Sequence, residues 1–215
     1  MSEKRRYSLL DKICLGVDQA LRAVLANPKT SDRAYPGKCD NVIDLTAEQR
    51  KHVAGLMRVN HAGEVCAQAL YHGQGLVSGH HDVKQKMQQA AMEEGDHLAW
   101  CQTRLTELGS HTSYLNPFWY AGSFVIGLTA GLIGDKWSLG FLAETENQVV
   151  KHLEKHLQQL PQSDTASYNI LSQMQQDEAH HRDDAMHSGA AELPQWIKKI
   201  MEFSSKVMVK TAYWV

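Results

Sequence analysis

Two short strings in this chain have the spacing of metal ligands: Glu94-Gly95-Asp96-His97 and Glu178-Ala179-His180-His181. On a helix, residues three apart are neighbours on one face, so a carboxylate and an imidazole at that spacing can reach the same ion. Glu64 and Glu146 belong with them, because all six residues fall where a helical core would carry leucine. Burying an unpaired carboxylate is very costly, so such a group must neutralise, pair or bind metal. Four carboxylates and two imidazoles have a joint solution. Two divalent cations cancel four negative charges, and each cation receives one imidazole.

The elements that must position these residues are legible as apolar seams alternating by three and four, the spacing of one buried helical face. The first seam is Val53, Met57, Asn60, Glu64, Ala67, Tyr71; the second is Met87, Ala90, Glu94, His97, Cys101, Leu105, Leu108. The third is Leu139, Leu142, Glu146, Val149, Leu153, Leu157, Leu160, and the fourth Ile170, Met174, Glu178, His181, Ala185. No series of strands is legible. The expected fold is all-α, a four-helix bundle of two helical hairpins with additional amphipathic and apolar helices. Spacing supports the pairing. Glu64 and Glu94 lie equally far from residue 79, inside the turn-like Val77-Ser78-Gly79-His80. Glu146 and Glu178 lie equally far from residue 162, inside Leu160-Pro161-Gln162-Ser163-Asp164. Each pair therefore sits at one height on the two arms of a hairpin, roughly 20 to 24 Å from its turn. Pseudo-twofold symmetry makes Glu94 and Glu178 the bridging ligands, with Glu64 and His97 terminal on one ion and Glu146 and His181 on the other.

One Glu from each of two helices plus Glu-x-x-His from each of two others is the ligand set of the di-iron and di-manganese carboxylate bundles. Oxygen-rich ligands with one imidazole per ion suit iron or manganese. Structural zinc sites instead favour four Cys or His ligands. Asp177-x-x-His180 and Asp184-x-x-His187 share the spacing but read as solvated. Asn60 and His61, one turn before Glu64, and His152, off the main seam, are candidates for supporting the ligands from behind. Gly63 reads as a site of close helix approach, and Cys66 and Cys101 as packing residues.

Composition sets the frame. The 215 residues are 43% hydrophobic and 21% charged, ordinary values for a folded chain, and favour one domain. A net charge of −2 supplies no basic field for nucleic acid. The four cysteines, Cys14, Cys39, Cys66 and Cys101, form no C-x-x-C pair, which suits a reducing compartment. Residues 8 to 25 read as an amphipathic helix with Leu10, Ile13, Cys14, Val17, Leu21, Val24 and Leu25 on one side. Asp11, Lys12 and Asp18 interrupt any signal-peptide core there. Residues 27 to 45, with Pro28, Pro36 and Gly37, read as a linker. Thr46 and Gln49 then form a capping box. The expected organisation is an N-terminal helix and linker over 1–45 and the bundle domain over 46–215.

The strings Arg58-Val59-Asn60-His61-Ala62-Gly63-Glu64, Glu93-Glu94-x-x-His97-Leu98 and Asp177-Glu178-x-x-His181 resemble the demethoxyubiquinol hydroxylases of ubiquinone biosynthesis, from about residue 50 to the C-terminus. The resemblance implies a ferritin-like fold and two iron ions on Glu64, Glu94, His97, Glu146, Glu178 and His181. It implies O₂ as oxidant, a polyprenylated benzoquinol as substrate, hydroxylation of its ring, attachment to a respiratory membrane and a place in a ubiquinone-biosynthesis complex. Some family members carry His-Tyr where this chain has His152-Leu153, so a redox tyrosine there is not carried over. No Gly-rich dinucleotide loop is present; electrons would come from a separate reductase or from the quinol itself. The same ligand set also serves a ferritin-like ferroxidase or a manganese catalase. A closed soluble ferritin shell suits neither the basic amphipathic tail nor the charge-free middle segment.

Residues 108 to 134 contain no Asp, Glu, Lys or Arg, and 118 to 134 read as apolar on every side of a helix. A membrane crossing there would put half of the ligands on each side of the bilayer. The segment is expected to pack along the bundle or to enter one leaflet. Trp196, Ile200, Phe203, Val207 and Trp214 contrast with Lys198, Glu202, Lys206 and Lys210, the pattern of an interfacial helix. Membrane-associated segments are therefore expected near 112–134 and 194–215, on a protein peripheral to the cytoplasmic face of the cell membrane.

Overall fold

A computed structural model describes residues 8–25, 30–31, 33–38, 44–79 and 81–215. Residues 1–7, Pro28 and Cys39 of the linker, His80 of the first turn and the side chain of Ile13 lie outside the described residues. Seven helices follow one another: α1 Leu9–Leu25, α2 Ala47–Val77, α3 His81–Glu107, α4 Asn116–Ile133, α5 Asp135–Gln159, α6 Thr165–His187 and α7 Gln195–Ala212. The described residues contain no β-strand, and the architecture is a ferritin-like all-α bundle.

The helix boundaries have local causes. Gln49 N–H donates to Thr46 Oγ1 at 3.2 Å and Thr46 N–H to Gln49 Oε1 at 3.0 Å, closing the capping box that starts α2. Pro117 opens α4, where a missing N–H costs nothing. Asp164 caps α6 by accepting from Ser167 N–H at 3.0 Å. Arg104 on α3 donates to the same carboxylate at 2.8 Å and to Ser167 Oγ at 2.9 Å, tying the foot of one hairpin to that of the other.

Helices α2 and α3 pack as one hairpin and α5 and α6 as the second, and α3 against α6 joins them. Two apolar clusters fill the space between them. One gathers Val53, Met57, Cys101, Leu105, Leu153, Ile170 and Met174. The other gathers Ala67, Tyr71, Met87, Leu139, Leu142 and Ala185. Every seam crosses from one cluster to the other, and the candidate ligands occupy the level between them.

Helix α4 is the crossover. The chain leaves the foot of α3 and must begin α5 at the opposite end of the bundle, and α4 climbs that height alongside α2. The approach is close because glycines line it. A Cβ on Gly127 would lie 2.4 Å from Leu70 O, and one on Gly73 would lie 2.5 Å from Phe124 O. Gly134, at φ 132°, ends α4 and turns the chain into α5. Gly63, expected to admit a neighbour, faces open space instead. With α3, α4, α5 and α7 packed around it, α2 is buried continuously from Val53 to Ala62. A single seam did not imply that degree of enclosure.

Candidate metal centre

The six candidate ligands are buried: Glu94 and His97 at 0% exposure, Glu146 and Glu178 at 1%, Glu64 at 3% and His181 at 7%. Ligand atoms of Glu64, Glu94, His97 and Glu178 all lie within 4.8 Å of one another. His97 Nδ1 is 3.2 Å from Glu94, 3.1 Å from Glu178 and 3.6 Å from Glu64. On the other side, His181 Nδ1 is 3.3 Å from Glu94 and 3.5 Å from Glu178. Glu146 meets Tyr71, whose hydroxyl donates to its Oε1 and lies 3.5 Å from Glu94 Oε1. Glu94 and Glu178 thus each face both histidines.

The arrangement has the marks of a metal site. Both oxygens of Glu178, Oε2 of Glu146 and Nδ1 of His181 are buried with no hydrogen-bond partner. Buried polar atoms in a folded protein are nearly always partnered, and these four point into the one cluster. Without metal, charge is balanced by protons. Burial, with the repulsion of Glu94, pushes Glu64 well above the usual carboxylate range, and burial with the repulsion of Glu178 does the same to Glu146. Burial also works against Glu94 and Glu178, but the close neighbours, the two imidazoles among them, prevail and hold both low. Burial opposes the charge on His97 and His181 too, yet the surrounding carboxylates raise both. Glu64, Glu94, His97 and Glu178 fit a divalent cation, which would replace protons there; Glu146 and His181 lie beside that group.

Each imidazole is held from behind by the opposite hairpin. His97 Nε2 on α3 is 2.9 Å from Asp177 Oδ2 on α6, and His181 Nε2 on α6 is 2.5 Å from Glu93 Oε2 on α3. The acid immediately before each glutamate of the Glu-x-x-His strings therefore orients the histidine of the other string. A carboxylate on the far nitrogen fixes the ring's tautomer and strengthens it as a ligand. Asp177 is thus no solvated residue, as its spacing to His180 suggested. His180 is the solvated one, 73% exposed and paired with Asp184 at 3.4 Å. The signal was available in the sequence, since an acid precedes the glutamate in both strings. Tyr71 gave less away: it stands one heptad after Glu64 on the same seam and reads as core.

Asn60, His61 and His152 form hydrogen bonds and ring contacts of their own. Asn60 Oδ1 is 3.0 Å from His156 Nδ1, His61 Nδ1 is 3.4 Å from Asn116 Nδ2, and the His152 ring lies 3.9 Å from that of His156. None of these partners is one of the six ligands. Arg58, from the same string, ties α2 to the loop between α3 and α4 and to the end of α7, donating to His111 O at 3.0 Å, Tyr213 O at 2.7 Å and Ser110 Oγ at 2.8 Å.

A crossover-linked bundle with buried Glu-x-x-His pairs facing each other is a ferritin-like carboxylate–histidine protein. The family described as "Ubiquinone biosynthesis protein COQ7" matches residues 51–212. The chain is 53% identical to the 3-demethoxyubiquinol 3-hydroxylase of Nitrosococcus oceani over 213 residues, 99% of this chain and 100% of that one. It is 52% identical to a protein of the same name from Acinetobacter baumannii over 211 residues, 98% of this chain and 100% of that one. The namesake from Nitrosomonas eutropha is 53% identical over 206 residues, 96% and 99% of the two chains. The chain belongs to the COQ7 family of ubiquinone biosynthesis proteins.

Proposed function

We propose that this protein is a 3-demethoxyubiquinol 3-hydroxylase, an O₂-dependent di-iron monooxygenase that adds a hydroxyl to the ring of a polyprenylated benzoquinol. The observation that carries the reading is the buried centre with its unpartnered carboxylate oxygens, in a chain more than half identical, end to end, to proteins of that name. Glu64, Glu94, His97, Glu146, Glu178 and His181 would hold the iron. Iron there would supply the redox chemistry that activates O₂: one oxygen atom goes to the ring, and the other leaves as water with two electrons from the external donor and two protons. The chain's own residues set the conditions. Glu93 and Asp177 orient the imidazoles, Tyr71 presents an O–H to Glu146, and the apolar clusters on both sides exclude water. A narrow crevice between α2 and α5, lined by Ala67, Leu70, Phe141 and Leu142, runs to Tyr71 and Glu146; it is too tight to admit a ring, so substrate entry there needs the two helices to part.

The same reading places the protein on the cytoplasmic face of the membrane, peripheral to it. No described helix is long and apolar enough to cross a membrane. Yet α1, α4 and α7 flank α2 and leave apolar side chains in solvent: Leu25 at 75% exposure, Phe118 at 73%, Phe203 at 70% and Leu132 at 69%. Exposed apolar rows on three neighbouring helices suit attachment to one leaflet, from which a prenylated quinol can be drawn. The electron donor is a separate reductase or the quinol itself. The activity is tested by incubating iron-loaded protein aerobically with a short-chain demethoxy-quinol and a reductant. Mass spectrometry should find one oxygen atom added to the ring, derived from ¹⁸O₂. A quinol recovered unchanged, with iron bound, refutes the assignment.

A further inference from the structure

The two halves of the centre match closely. Each histidine has an outer carboxylate, and each carboxylate accepts from a glutamine one turn earlier on its own helix: Gln89 donates to Glu93 at 3.2 Å and Gln173 to Asp177 at 3.0 Å. The match breaks at Arg33. Its Nη2 lies 2.8 Å from Asp177 Oδ2, whereas no Lys or Arg among the described residues pairs with Glu93.

Arg33 comes from outside the bundle, in the segment that crosses from α1 to α2. That segment is pinned to α3 on both sides of Arg33. Ser31 N–H donates to the buried Asp96 at 2.9 Å, with the Ser31 hydroxyl on its other oxygen, and Tyr35 O–H donates to Glu107 at 3.1 Å. Between these anchors the Arg33 guanidinium lies 4.9 Å from the centre of the Trp100 ring. The Trp100 ring in turn lies 5.3 Å from that of His97. Arg33 therefore touches both groups that hold the His97 imidazole from behind, the carboxylate on its Nε2 and the indole beside it. The opposite nitrogen of that imidazole faces Glu64, Glu94 and Glu178. The family match begins at residue 51, so a bundle cut to the matched region would lack this contact.

We propose that the segment around Ser31, Arg33 and Tyr35 is a strap on the metal centre, and that Arg33 is a positioning residue for the ion held by His97, acting through Asp177. Its cation fixes the direction of the Asp177 carboxylate, which fixes the His97 ring. Because Arg33 is in direct contact with Asp177 and reaches Glu93 only at longer range, the strap also bears unequally on the two ion positions. This inference rests on the metal-centre reading above.

The test is anaerobic titration of metal-stripped, full-length protein with Co(II), followed by its visible absorption bands, with melting temperature measured in parallel. Wild-type protein takes up two equivalents. Arg33→Ala should weaken one of them by about 10-fold, as loss of a supporting contact does, alter the corresponding bands and spare the other equivalent. Arg33→Lys should recover part of the loss. Adding Asp177→Asn to Arg33→Ala should cost less than the two single effects combined, since both act along one line. Tyr35→Phe, which removes only the Glu107 hydrogen bond and leaves the Ser31 and Arg33 contacts in place, should lower the melting temperature and leave both affinities unchanged. Wild-type binding of both ions by Arg33→Ala overturns the proposal, as does loss of affinity in Tyr35→Phe in step with its melting temperature. Wild-type protein that binds no cobalt would overturn the metal-centre reading itself, and the strap's role with it.

Discussion

Nδ1 of His181 lies 3.3 Å from Oε1 of Glu94, a glutamate of the other hairpin. The reverse contact, His97 Nδ1 to Glu178 at 3.1 Å, completes the exchange. Each glutamate thus belongs to both halves of the centre. Glu178→Ala should therefore lose both metal ions rather than one, with helix content retained by circular dichroism. Metal analysis after iron reconstitution checks this, and a variant keeping two ions would remove Glu178 from the bridging position.

Metal loading should release protons. In the metal-free centre Glu64, Glu146, His97 and His181 are all shifted toward their protonated forms, and Glu94 and Glu178 toward their charged forms. Ligands must be deprotonated to bind, so two divalent ions should displace about four protons. Affinity should accordingly rise with pH. Calorimetry in buffers of different ionisation enthalpy counts the protons, and a count near zero would contradict the assigned charge states.

The α2–α4 contact should not tolerate a methyl group. A Cβ at Gly127 would meet Leu70 backbone atoms at 2.4 and 2.9 Å, and backbone cannot swing aside. Gly127→Ala should cost roughly 1–3 kcal/mol in denaturant unfolding. Gly122 on the same helix has nothing within 4 Å, so Gly122→Ala should be neutral or stabilising by about 0.5–1 kcal/mol. Equal effects at the two positions would mean that α4 does not lie on α2 in solution.

Acid should unfold the protein partly through its neutral buried histidines. Burial holds His156 down to about 3, and His61 and His152 down to about 4, against an ordinary value of 6.5. Their folded values lie below the unfolded one. As pH falls below about 6.5 the unfolded chain takes protons that the folded chain refuses, and stability drops until the folded values are reached. Above about 6.5 their contribution is fully present. His156→Gln removes one such group, so its melting temperature should fall less steeply than wild type between pH 6.5 and 4. Parallel slopes would show that His156 is not held neutral.

Membrane attachment should depend on side chains that the fold does not use. Trp196 and Phe203 are 65% and 70% exposed on α7, so changing both to Ser should leave the melting temperature within about 1 °C of wild type. Wild-type protein should float with anionic liposomes, and the double variant should float less. Wild-type protein that stays behind in the gradient would refute peripheral attachment.

Much of this was written in local sequence. Periodicity located the four bundle helices, because a buried face must recur at the helical repeat, and Glu64, Glu94, His97, Glu146, Glu178 and His181 stood out as polar residues on those faces. Equal spacing about residues 79 and 162 set them at one height, since helical rise per residue is fixed. What the sequence left open were relations between helices, which no single period encodes. The apolar stretch after Pro117 reads alike on every side, and only packing against Gly73 shows that one face covers α2 and that the helix is the crossover. Asp177 carries a surface-like spacing to His180, and only the meeting of α6 with α3 sets it against His97. Arg33 sits in a linker with no pattern at all. Its partners, Asp177 and Trp100, lie on two helices far along the chain, and only the folded bundle brings them within reach of one guanidinium.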